Sequence, residues 1–243
     1  MSTKKHNSIE SRWAALGVLF NCAPARSAPD IERLLIESAS ELPKNPRLFS
    51  LIATWLAIYG HCVARHRLAR LITDECARED RAALGLLIEE GVRLGGPRDL
   101  RIAVERCEPD VSPRPLFNVQ SERRSLWSIA ESAASDVSRK WGVWAPEAEL
   151  REDAIRPVAW LLKRVPACRE RLVRKGDLRC SIVEALRLDF EGVASSVAAL
   201  ARACGATRVG LERALDALVR EGAVTVRAAP GSKRDREVVL AVL

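Results

Sequence analysis

Ser196-Val-Ala-Ala-Leu-Ala-Arg-Ala-Cys-Gly205, followed by Thr207 to Gly222 and by two β-prone runs around Pro230-Gly-Ser-Lys-Arg-Asp-Arg236, carries the most readable pattern in the chain. Val197, Leu200, Ala201 and Cys204 recur at the three-and-four spacing of one helix face. Gly205 follows, and glycine takes the left-handed backbone that ends a helix without a Cβ penalty. Thr207 is a good N-cap for a second helix, in which Leu211, Ala214, Leu215 and Leu218 form an inward stripe before Glu221-Gly222 closes it. The opposite face carries Arg208, Glu212, Arg213, Asp216 and Arg220. Val224-Thr-Val226 and Val238-Val-Leu240 flank a polar loop with glycine and proline, which predicts a hairpin.

Helix, tight turn, helix and basic hairpin, in that order, resembles a winged helix-turn-helix. Leu200, Ala201, Cys204, Gly205, Leu211 and Ala214 fall where that superfamily keeps a small residue at the helix crossing, a glycine in the turn and apolar residues on the second helix. The resemblance covers only residues 178–243 and begins with a helix predicted over Leu178 to Phe190, whose Ile182, Val183, Leu186 and Phe190 share a face. It implies binding to double-stranded DNA and transcriptional regulation, with the second helix in the major groove and the wing on phosphate or in the minor groove. On that resemblance Thr207, Arg208, Arg213 and Arg220 belong to the reading helix, and Lys233, Arg234 and Arg236 lie on the backbone. Glu212 and Asp216 on the same face oppose tight phosphate contact. Fold alone does not set function. The alternative is a non-catalytic adaptor or antitoxin-like subunit of a bacterial defence or toxin-antitoxin complex, in which the winged helix grips protein.

The 243 residues are 48% hydrophobic and 29% charged, enough for one large core or two modest ones and against wholesale disorder. Thirty-nine basic residues against thirty-two acidic give a formal charge of +7, which favours a polyanionic partner. Richness in alanine and arginine is compatible with a high-GC bacterial source. Seven cysteines without a CxxC pair, after an N-terminus with no signal-peptide pattern, read as reduced thiols in a cytoplasmic protein. Leu48 to Ala64 carries no formal charge, at the low edge of a membrane span. Ser50, Thr54, Tyr59, Gly60 and His61 dilute it, so it reads as a buried central helix, and no membrane partner is expected.

Around that spine the pattern predicts helices over Ile9 to Cys22, Asp30 to Glu41, Pro46 to Asp74, Arg81 to Leu94 and Asp99 to Glu108. The expected fold is mainly α. A helical N-terminal domain spans residues 1–108, a proline-rich linker 109–120, a helical connector block 121–176, and the winged helix-turn-helix with its small β-hairpin 177–243. Pro109-Asp-Val-Ser-Pro-Arg-Pro115 suggests the linker, because three prolines in seven residues do not fit a regular element. The connector is expected to hold helices over Ser121 to Trp141, Glu147 to Val165 and Cys168 to Lys175. It contains Trp127, Trp141, Trp144 and Trp160, which read as packing residues. Trp141 and Trp144, in a loop-like segment, are the pair assigned to a protein partner or homodimer surface.

No catalytic constellation emerges, so no enzyme activity or cofactor is expected. Within His61-Cys-Val-Ala-Arg-His66, Cys62 and His66 would share a helix face, with Cys76 a distant third, and nothing supplies a fourth metal ligand. Phosphate-loop, dinucleotide, HExxH and GxSxG motifs are absent, as is the Arg-x4-His signature of HEPN ribonucleases. Glu89-Glu90 and Glu147 with Glu149 read as solvated helix faces.

Overall fold

Ser8 opens the first helix by accepting a hydrogen bond from the Ser11 amide, and Asp30 and Asn45 cap the second and third in the same way, from Arg33 and Leu48. These are α1 (Ile9–Ala15), α2 (Ile31–Glu41) and α3 (Pro46–Tyr59). The structure, a computed structural model, describes residues 8–228 and 236–241. Next come α4 (Arg65–Glu75), α5 (Arg81–Arg93) and α6 (Arg101–Val104). The helix expected over Pro46 to Asp74 is therefore two. Gly60 lies so close to Pro97 that a Cβ would fall 2.6 Å from its Cδ. The break frees the Ala64 amide to donate to the buried Glu32 carboxylate at 2.8 Å.

The segment expected to be a linker is built into the core. It forms β1 (Arg114–Pro115), which pairs in parallel with β2 (Val143–Trp144). The Arg114 amide donates to Gly142 and the Leu116 amide to Trp144, so Pro115 occupies the position where no N–H is needed. Leu116 and Phe117 are buried, and the Phe117 ring meets that of Phe49 edge-on at 6.2 Å. Between the strands lie α7 (Asn118–Ser121), α8 (Trp127–Ala133) and α9 (Asp136–Lys140), in place of the single helix expected over Ser121 to Trp141. Ser135 restarts the chain as the N-cap of α9.

Residues 147–157 run without an α-helix along the core, which shortens the expected second connector helix to α10 (Val158–Arg164). Side chains of α3 hold this run: Thr54 accepts from the Arg151 amide at 3.0 Å, and the Tyr59 hydroxyl donates to the Arg156 carbonyl at 2.7 Å. A single core thus extends from Trp13 to Cys168. At its centre Trp13 and Trp55 cross edge to face at 5.3 Å, their indole N–H groups donating to Ser38 and to the Leu16 carbonyl.

After α11 (Ala167–Val173), a second core begins. It is built from α12 (Leu178–Asp189), β3 (Val193–Ala194), α13 (Val197–Ala203), α14 (Arg208–Arg220), β4 (Val224–Ala228) and β5 (Arg236–Leu240). The strands form an antiparallel sheet in the order β3-β5-β4, and the expected hairpin is the β4-β5 pair, with Val226 opposite Val238. Ile182, Leu186, Leu200, Leu211, Leu218 and Val238 fill the space between helices and sheet. The chain is mainly helical, with this small sheet near its C-terminal end. No helix among the described residues is long and apolar enough to cross a membrane.

Buried charges join the two cores. Arg67 and Glu32, both 0% exposed, pair at 2.9 Å. Glu32 also accepts from Arg171 at 2.6 Å, and Arg171 donates on to Glu184 at 2.7 Å. Arg67 reaches Asp30 and Asp189 with the rest of its fork. Burial pushes the Asp30 carboxyl up, but the hydrogen bonds and charge of Arg67, with Arg33, overcome it and hold the group at about 2. Asp189 is lowered by the same balance.

Candidate nucleic-acid interface

The α13–turn–α14 pair is positioned from its own sequence. Ser196 caps α13 by accepting from the Ala199 amide at 3.1 Å. Cys204 closes that helix inside the core, where burial pushes its thiol up to about 12. Gly205 then takes φ +58°, the left-handed conformation expected of it, and the Ala206 amide returns to the Ala201 carbonyl at 2.9 Å. The Thr207 hydroxyl accepts from the Gly210 amide at 3.2 Å and starts α14. Leu211, Ala214, Leu215 and Leu218 are buried, as the stripe required.

Opposite that stripe, Arg208, Arg213, Asp216 and Arg220 are exposed, the Arg208 side chain by 84%. Among the described residues Arg213 has no ion-pair partner. Arg208 lies 3.4 Å from Glu212, and the same carboxylate oxygen accepts from Arg236 of β5 at 2.9 Å. Glu212 therefore ties the helix to the hairpin and neutralises part of its charge. Arg220 turns back to the Asp216 carbonyl at 3.2 Å. On the hairpin, Arg227 pairs with Glu237. Thr207, Arg208, Arg213, Arg220 and Arg236 are thus brought to α14 and the strand beside it, whereas Lys233 and Arg234 lie outside the described residues.

Two grooves flank α14. One, of about 790 Å³, runs between the helix and the hairpin and is lined by Glu212, Asp216, Val219, Arg220, Val226 and Arg236. The other, of about 540 Å³, separates the start of α14 from α4 and α6, with His66, Arg70, Arg106, Leu178, Thr207 and Gly210 on its walls. Burial and the neighbouring Arg65 charge lower the pKa of His66.

The tryptophan pair requires a correction. Trp141 is 3% exposed, its ring filling the space a Cβ on Gly85 would take, and its indole N–H donates to Glu89 at 2.7 Å. It is a core residue with no surface to offer a partner. Trp144 is half-buried in β2, perpendicular to the Trp127 ring at 5.9 Å. Cys62 and His66 do not share a helix, because the break after α3 puts Cys62 in a buried turn beside Cys168 and His66 on α4. The hydrogen bond with Cys168, then burial, raises the Cys62 thiol. Among the described residues no three His, Cys, Asp or Glu side chains are grouped to hold a metal ion.

Sequence reading missed the buried ionic joint. Its signal was a charge set among inward apolar neighbours: Glu32 beside Ile31 and Leu34, Arg67 beside Leu68, and Glu184 between Val183 and Ala185. Compared with known proteins, the chain matches no family model, no curated protein and no solved structure.

Proposed function

We propose that residues 177–243 form a winged helix-turn-helix that binds double-stranded DNA, and that the protein is a transcriptional regulator. The observation that carries this reading is the first two turns of α14. There the exposed Arg208, and Arg213 with no ion-pair partner among the described residues, project from a helix whose other face is locked into the core. The helix–strand–helix–helix–strand–strand order supports it, as does Arg236 beside that helix. In this reading α14 enters the major groove and the hairpin lies on the backbone. The core of residues 13–168 supplies a dimer or partner surface, with no catalytic role. Seven free cysteines accord with the reducing cytoplasm.

The test is the salt dependence of binding to a random duplex and to DNA from the protein's own operon. Phosphate neutralisation gives a linear fall of log K with log salt, and preference for the operon DNA marks a reader of sequence. A flat, weak response to both duplexes would overturn the proposal.

A second reading is favoured by a specific observation. Val209 and Val219 are 61% and 45% exposed on α14, and Glu212 already occupies two of the arginines. An adaptor that grips protein with this face accounts for the exposed valines. It is expected to bind neither duplex with a steep salt slope.

A further inference from the structure

We infer that the helical unit itself contributes to the DNA interface, Arg70 of α4 and Arg106 beyond α6 holding a backbone phosphate beside the start of α14. This rests on the DNA-binding reading and adds a contact that lies outside the α13–α14 unit and its hairpin.

Charge distinguishes this groove from the one on the other side of α14. The groove beside the hairpin mixes Glu212 and Asp216 with its arginines, whereas no carboxylate lines the groove that Arg70 and Arg106 face. Arg106 is exposed and has no ion-pair partner among the described residues. Arg70 has its Nε on Asp74 at 2.7 Å, a surface pair that leaves the two terminal nitrogens for another acceptor. The turn between α13 and α14 packs directly on α4, a Cβ at Gly205 falling 3.7 Å from Arg70 Cβ. The two arginines therefore line one groove with Thr207, at the end of α14 that would enter the groove of a duplex. A phosphodiester running past Thr207 matches their charge, and arginine donors suit its oxygens.

Duplex binding is measured across salt for the wild type, Arg70→Ala/Arg106→Ala, Arg208→Ala/Arg213→Ala and a control, Arg78→Ala/Arg151→Ala, that removes the same charge away from the groove. The expected result is a salt slope flatter by about 0.9 for each of Arg70 and Arg106, with affinity for every duplex falling about tenfold or more. The control should leave the slope unchanged, and all variants should melt with the wild type. Arg106→Glu should weaken binding further than Arg106→Ala.

If the wild type binds duplex and Arg208→Ala/Arg213→Ala weakens its binding to operon DNA while Arg70→Ala/Arg106→Ala keeps the parent slope, this inference fails and the DNA-binding reading stands. If the wild type binds no duplex, both fail. Should inorganic phosphate raise the melting temperature of the wild type but not of Arg70→Ala/Arg106→Ala, with duplex slopes equal, the groove holds free phosphate and the inference is overturned.

Discussion

Arg67 donates two hydrogen bonds to Asp189, from Nε to Oδ2 at 2.8 Å and from Nη2 to Oδ1 at 2.9 Å. The pair joins the first turn of α4 to the last residue of α12, across the seam between the two cores. Arg67 is wholly buried, so the cost of removing its charge from water is met by Asp30, Glu32 and Asp189 together.

Arg67→Met should therefore destabilise the protein by about 3–5 kcal/mol, since it strands part of the negative charge at a dry site. The midpoint of urea unfolding checks this. A shift worth less than about 1 kcal/mol would mean that water reaches Glu32 as soon as the guanidinium is gone.

Stability should fall in acid through the same joint. The Asp30 carboxyl lies at about 2 in the folded protein against an ordinary value of 3.8, and Asp189 is lowered too. A carboxyl with a depressed folded pKa contributes fully above its unfolded value and loses that contribution as pH falls through the folded one. The Asp30 share, about 2 kcal/mol, should disappear between about pH 5 and pH 2. Unfolding curves across that range should be flatter for Asp30→Asn than for the wild type.

Gly85→Ala tests the placement of Trp141. The added Cβ would fall 2.4 Å from the indole ring, so the variant should lose about 1–3 kcal/mol despite the better helix propensity of alanine, worth up to about 1 kcal/mol. Thermal melting gives the sign. A more stable variant would show that the ring has room to move.

Arg208→Ala/Arg213→Ala should abolish the preference for operon DNA while keeping most affinity for random duplex. A bidentate arginine–guanine pair is worth about 1–3 kcal/mol of discrimination. The ratio of the two dissociation constants is the readout, and an unchanged ratio would move the reading of sequence elsewhere.

Glu212→Gln should strengthen binding to any duplex. The carboxylate now accepts from Arg236 and lies against Arg208, and removing its charge releases both toward phosphate. The salt slope should steepen by about 0.9 for each arginine that gains a contact. Weaker binding would instead show that Glu212 works by placing those arginines.

Most of the α13–α14 unit could be read from sequence because each device there is local. Thr207 needs only Gly210, three residues on, and Gly205 needs only its own backbone. The hairpin strands were equally visible as β-branched runs, and they now pair Val226 with Val238. Long-range partners were not legible. Pro115 suggested a linker until Val143 and Trp144 supplied the strand beside it, and the apolar run from Leu48 to Ala64 gave no hint that Ala64 would leave the helix for Glu32. Trp141 lay in an apparent loop, and only its place against α5 made it a core residue. For the candidate site, the arginines of α14 were foreseen and their neutralisation by Glu212 was half seen. Arg70 and Arg106 were not, because their place beside Thr207 arises from packing between residues far apart in the chain.

The chemistry of the seam has a mechanical consequence. A forked pair such as Arg67 with Asp189 adds direction to the seam that apolar contact lacks, because its two parallel bonds specify one mutual orientation. Arg171, anchored to Glu32 on one side and Glu184 on the other, adds a second such connection. The helical unit is thereby tied to α12, the helix against which α14 packs: Arg67 holds Asp189 from α4, and Arg171 carries Glu32 of α2 through to Glu184.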